Sequence, residues 1–345
     1  MRAGKNWTLV FVLPFTEMVS NHVRAKCLEG FEPKNWSFIY LKGIYPQAFD
    51  FFIIRTIYRF SFYVGELLKL KFRSKQIVAY FIKPQSPILL WTVRRVLRIK
   101  VIIDINDPYH LPELFGNKVT KLLLNNADHL VFESDEYCAY WSNSFSKISS
   151  IISDTPQHEC IYIDSYYRAK TVCWVGSPYT SPYLKNFIEH FKLFNDYGYE
   201  IRLIGCDKDT ADFFREGLIR FSQINNYDSN ILAQELSSSL ISFVPMPNND
   251  LFLLRGNLKA KVSMGYGCLT IASRNSMHEN LIQDGINGYL FDSLKELQLI
   301  LIQIQSRSML ACVASAGNKH VSGEYSRKSQ AEKLTKIAEA MNIDS

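Results

Sequence analysis

The sequence predicts an α/β protein made of two Rossmann-like halves in series, and three observations carry that expectation. Short apolar runs alternate with helix-compatible stretches from Trp7 to about Ile163, and a second alternation begins at Thr171. Such alternation implies parallel strands joined by crossover helices. The 345 residues suffice for two domains with separate cores, and 47% hydrophobic with 21% charged residues is the balance of a folded globular chain. The expected boundaries are 1–168 for the first domain, 169–320 for the second and 321–345 for a terminal helix.

The first half offers strands at Trp7–Leu13, Ser37–Leu41, Ile77–Phe81, Val101–Ile105 and His129–Phe132. Arg2 and Lys5 precede the first of these as they would in a signal peptide. The apolar part is short, lacks a small-residue cleavage site and stops at Pro14, so it reads as a buried strand. Phe49 to Leu70 is the most apolar helical stretch, broken by Asp50, Arg55, Arg59 and Glu66. Two readings stand for it: a crossover helix in the first core, or, with the basic segment 71–75, a helix lying on a membrane face. No run reaches the ~18 apolar residues of a spanning helix.

The second half offers strands at Thr171–Val175, Glu200–Ile204, Ile241–Val244, Leu269–Ala272 and Tyr289–Phe291. The tail from Glu324 to Met341 is a mixed-charge helix with a stripe of Ala331, Leu334, Ile337, Ala338 and Met341.

Seven scattered cysteines, with no Cys-x-x-Cys, argue for reduced thiols in the cytoplasm and against a zinc site or a disulfide framework. The net charge is +6, with the basic residues crowded into the first third, from Arg55 to Lys100. Nucleic acid is not the expected partner, because no aromatic ribonucleoprotein motif, zinc finger or basic-zipper pattern accompanies that excess. Attraction to an anionic membrane surface is the other reading, and the protein is expected in the cytoplasm or peripheral on the inner membrane face.

The chemistry is concentrated between Ile241 and Phe291. A strand runs into Pro245 and Pro247, and then Arg255, Gly256 and Asn257 lead into a helix from Leu258 to Tyr266, stopped at Gly267. Arg255 and Lys259 stand four positions apart at the helix entry. A helix start exposes unpaired N–H groups and partial positive charge that suit a phosphate; Arg adds a planar fork and Lys a mobile point charge. A diphosphate held there is a good leaving group, because the charge that develops is already compensated.

This stretch resembles the donor-binding half of the GT-B glycosyltransferases, in particular the retaining family-four group that builds bacterial surface polysaccharides. The matching positions are Pro245-Met246, Arg255, Lys259, Gly267, the run Leu269-Thr270-Ile271-Ala272-Ser273, Glu279, and Asp284-Gly285 to Gly288. The resemblance implies two Rossmann-like domains facing a central cleft, with the terminal helix crossing back to the first. It implies transfer of a hexose from a UDP- or GDP-linked sugar to a hydroxyl of a lipid-linked glycan, with retention of configuration and no metal or other cofactor. Arg255 and Lys259 become the groups that stabilise the leaving diphosphate.

Two glutamates eight positions apart, usual in that family, fall here on Leu254 and Val262. The resemblance therefore shifts donor contacts to Asn248, Asn249, Asp250, Asn257, Leu258 and Glu279. Gly176 and Ser177, in the turn after Val175, would approach the diphosphate, and Tyr227 the nucleoside base. In the first half, a strand ends in Asp104, Asn106, Asp107 and His110, and this cluster should face the ligand edge of the sheet. Asp107 or His110 would orient or deprotonate the acceptor hydroxyl. Asp128 and Ser134 read as turn-shaping residues. Loss of the glutamates keeps open a catalytically degenerate scaffold, and the fold also admits a nucleotide-sugar epimerase.

Overall fold

The computed structural model describes residues 7–13, 24–42, 52–74, 76–83, 86–107, 116–142, 148–156, 168–224, 229–247, 249 and 256–343. The chain divides into two compact units. One comprises the chain up to Thr155 with Gly256 and the segment from Arg327 onward; the other comprises Pro156–Leu253 and Asn257–Ser326.

The first unit holds strands β1 (Trp7–Val12), β2 (Trp36–Leu41), β3 (Gln76–Ile82), β4 (Lys100–Ile105), β5 (His129–Phe132) and β6 (Ser149–Ile151). They form one parallel sheet in the order β2-β1-β3-β4-β5-β6. Both faces of such a sheet are covered, which is why its strands are near-continuous apolar runs rather than alternating ones. Tyr63 and Leu67 of the helix Phe52–Arg73 are buried in the core over Val10, Ala79 and Val101. The opposite face is covered by the C-terminal helix, Arg327–Ile343, whose Ala331, Leu334 and Ala338 pack with Leu9, Phe11 and Trp36. The small alanines permit close approach. The Trp36 indole N–H, itself buried, is satisfied by Glu339 Oε1 at 3.0 Å.

The second unit holds β7 (Ala169–Val175), β8 (Glu200–Ile204), β9 (Phe221–Ile224), β10 (Ser239–Val244), β11 (Leu269–Ser273) and β12 (Tyr289–Phe291). Its parallel sheet runs β12-β11-β10-β7-β8-β9. Chain order reverses between β7 and β10, and a doubly wound sheet opens a ligand crevice at that point, beyond the carboxyl ends of the strands. The core is aromatic: Phe243 packs against Phe191, Phe194 and Phe291 with ring centroids 5.1–5.2 Å apart.

Ten strands match the predicted positions to within two residues at either end. The additional strands, β6 and β9, are short edge strands with partly exposed residues. Helix Leu258–Gly265 ends as expected, with Gly267 at φ +72°. All six described cysteines are free thiols.

Candidate functional site

The site is built where β7 and β10 lie side by side. After β7 the chain turns at Gly176, whose N–H bonds Ile204 O at 3.0 Å. A Cβ on Gly176 would stand 2.1 Å from Trp174 Cη2 and 2.9 Å from Thr180 Oγ1, so the turn has room only for glycine. Thr180 closes the turn: its Oγ1 accepts from Ser177 N at 3.1 Å, and its own N–H donates to Ser177 O at 2.9 Å. The Ser177 side chain is exposed beside it.

The helix Leu258–Gly265 begins beside this turn. Lys259, in its first turn, reaches across to donate to Thr180 Oγ1 at 3.3 Å. Its ammonium also stands 5.1 Å above the Trp174 ring. Lys259, Gly176 and Ser177 are thus brought to one place by two adjacent strands. Leu258 opens the helix half-buried.

Asn257 precedes the helix but does not cap it with its side chain. Its Nδ2 instead donates to Met277 O at 2.8 Å, and its buried Oδ1 has no hydrogen-bond partner. The helix start therefore keeps N–H groups that no Asn257 side chain covers. Those amides, Lys259 and the glycine turn together make a cationic, donor-rich surface of the kind that holds phosphate.

One residue that sequence reasoning missed lies within electrostatic reach of Lys259. His278 is fully buried in the short helix Ser276–Glu279. Its Nδ1 lies 2.7 Å from Ser273 O, which can only accept, so Nδ1 carries the proton and Nε2 is a bare acceptor with no partner. Burial, with the Lys259 charge adding to it, pushes the His278 pKa down to about 4, so the ring is neutral at ordinary pH. A histidine within an otherwise unremarkable loop sequence carried no signal of this.

The other expected residues are placed as follows. Glu279 is half-exposed and lies 3.9 Å from Arg274, which is itself gripped by Asp284 at 2.7 Å and Asp292 at 3.1 Å. Asn249 is exposed, its N–H bonded to Pro247 O at 3.1 Å. Asn248, Asp250, Arg255 and Tyr227 lie outside the described residues, as does His110.

In the first unit Asp107 pairs with Lys83 at 3.0 Å. Asp104, expected to face ligand with Asp107, is instead wholly buried. Arg24 holds it through Nε at 2.8 Å, and Tyr80 donates to it at 2.7 Å. Arg24 also reaches Glu133 at 2.7 Å and Asp154 at 3.4 Å. Burial alone would lower the Arg24 pKa, but Asp104, Glu133 and Asp154 carry it well above its ordinary value. Asp128 and Ser134 shape turns: Asp128 accepts from Val101 N at 2.9 Å, and Ser134 Oγ from Tyr137 N at 3.2 Å.

No family model matches the chain, and no curated protein sequence does. Solved structures do match. The chain is similar to HepE of Anabaena, crystallised with UDP and glucose, at 10% identity and a TM-score of 0.65, over 96% of this chain and 99% of that one. It is similar to sucrose-phosphate synthase of Thermosynechococcus elongatus at 14% identity and a TM-score of 0.70, over 98% and 100%. A glycosyltransferase of Rickettsia africae matches at 12% identity and 0.67, over 98% and 99%. At such identities the likeness concerns the fold. The chain has the α/β fold of the GT-B class.

Proposed function

We propose that the protein transfers a hexose from a nucleotide-sugar to a hydroxyl of a glycan acceptor. The observation that carries this reading is the meeting of Lys259 with the Gly176–Thr180 turn at the strand-order reversal of the second sheet. In this reading the diphosphate lies over the helix start. As the glycosidic bond to it breaks, the charge that grows on the leaving oxygen is met by the Lys259 ammonium and the helix amides. Arg255 joins them by resemblance. No cofactor is invoked, since side chains and backbone supply the compensating charge.

HepE was crystallised with UDP and glucose, which favours UDP as the nucleotide to test first. Retention of configuration, a lipid-linked acceptor, a place in surface-polysaccharide synthesis and action in the cytoplasm are parts of the proposal that rest on the family resemblance and on the scattered cysteines. Asp107 and His110 remain its candidates for handling the acceptor hydroxyl.

The test is isothermal titration of the protein with UDP and GDP, followed by thermal-shift measurement against a panel of nucleotide-sugars. A true donor stabilises the folded state by mass action. Binding of one nucleotide that weakens in Lys259→Ala supports the reading, and binding of neither overturns it. Leu254 and Val262 favour a second reading, a scaffold that has lost its acidic donor contacts. Nucleotide binding without sugar transfer to any glycan would select that one, and turnover to an isomeric sugar without an acceptor would select an epimerase.

A further inference from the structure

We propose that the first unit docks on an anionic lipid bilayer through an apolar ridge formed by the helix Phe52–Arg73 and the helical turns Pro87–Trp91 and Thr92–Val96. The long helix is apolar on two sides. Tyr63 and Leu67 face the core, and Tyr63 Oη donates to Leu13 O. Away from that face, Ile54, Ile57, Ser61, Gly65, Leu68 and Phe72 recur at intervals of three and four residues, which makes one continuous stripe. It runs ~27 Å along the helix axis, holds no charge, and leaves Ile57 60% and Phe72 83% exposed.

Ile88, 68% exposed, and Trp91 extend the ridge from the second element. Ile57, Phe60, Pro87, Ile88 and Leu89 line a groove of about 510 Å³ between the two. Lys71 Nζ donates to Leu97 O and so ties the helix to the turns. Single exposed apolar residues are ordinary, but a clustered patch is not. Seven of the eighteen large apolar side chains exposed among the described residues lie between Ile54 and Val96, so this surface is built to be covered.

Charge selects the cover. From residue 52 to residue 100 the chain has eleven Lys and Arg against one acid, Glu66, which is paired with Lys69 at 2.6 Å; Lys83 and Arg94 pair with Asp107 and Asp128 from outside that stretch. Arg73, Arg95 and Arg98 are exposed beside the apolar side chains. A second copy would meet this face with the same cations, because a two-fold interface sets like patches together. A surface of anionic headgroups over hydrocarbon accepts both features at once: cations at headgroup depth, with Phe72, Ile57, Ile88 and Trp91 below them. This surface belongs to the first unit alone and does not depend on the donor chemistry of the second.

The experiment is flotation of the full chain with vesicles of phosphatidylcholine alone and of an equimolar mixture with phosphatidylglycerol. We expect binding to the mixed vesicles at low salt, release at high salt and little binding to phosphatidylcholine. Ile57→Ser with Phe72→Ser should lower partitioning at least about tenfold. Arg73→Glu with Arg95→Glu should do the same, since each cation near such a surface is worth about fivefold. These residues are exposed, so thermal unfolding should be unchanged, and sedimentation at several concentrations reports self-association. Failure of the unsubstituted chain to float, equal binding to neutral vesicles, undiminished binding by either double variant, or a dimer that the same substitutions abolish would each overturn the proposal. Nucleotide titration is read separately, so failure here is distinguishable from failure of the donor site.

Discussion

Lys259 Nζ stands 3.3 Å from Thr180 Oγ1, although 79 positions separate the two residues in the chain. The contact exists because β7 and β10 are neighbours in the sheet, so the turn after one and the helix after the other share an edge. Trp174, the next-to-last residue of β7, gives the ammonium an aromatic floor.

That contact makes Lys259 the first substitution to test. Lys259→Ala removes a half-buried surface contact and should leave the fold intact, as circular dichroism would show. Sugar transfer should fall about a hundredfold, the ~3 kcal/mol typical of one lost electrostatic contact to a developing charge. Turnover at the unsubstituted rate would remove Lys259 from the mechanism.

Gly176→Ala should act on stability as well as on binding. The added methyl would lie 2.1 Å from the ring of Trp174, a side chain only 2% exposed and without space to retreat. Overpacking of this kind costs ~1–3 kcal/mol, read as a lowered midpoint in urea. A midpoint equal to that of the parent would mean that the turn relaxes freely.

His278 predicts a pH dependence. In the folded chain its ring resists protonation down to about pH 4, whereas the unfolded chain takes up that proton near 6.5. Between those values the unfolded state binds more protons. The stabilisation is therefore complete above pH 6.5 and is lost as pH falls through 4, by roughly 3 kcal/mol for this group. His278→Gln cannot titrate, so its urea midpoint should vary less over that window than the parent's. Identical pH slopes would show that His278 is not the responsible group.

Arg24→Met should be the most destabilising of these changes in the first unit. It leaves Asp104 and Glu133 buried without their cation, a loss typically of ~3–5 kcal/mol. Replacing Asp104 by Asn in the same chain should recover part of that loss. If the double variant is no more stable than Arg24→Met, the repulsion ascribed to the stranded carboxylate is not the cause.

How much of this was legible follows the physics of each element. Strands such as β4 and β10 were readable because a parallel strand covered on both faces must be apolar along its whole length. By contrast, β9, the sequence Phe-Ser-Gln-Ile, sits at a sheet edge, so only part of it needs to be apolar, and β6 has three residues. The helix start at Lys259 was readable because loop, helix and glycine cap follow one another locally. His278 was not: its state depends on Ser273 O and on the charge of Lys259, nineteen positions away. Asp104 looked like a ligand group because it ends a strand. Its burial is decided by Arg24, eighty positions earlier.

By itself the sequence determined the two alternating halves, the position of the cationic helix start and the charge excess of the first third, since all three are properties of neighbours along the chain. Only the tertiary structure decided which cation meets which turn, that buried His278 stays neutral within reach of the Lys259 charge, that Arg24 claims Asp104, and that one helix turns a second apolar side outward. The reason is that strand order in each sheet, a cooperative outcome of burying every strand on both faces, sets the distances over which charges and rings act.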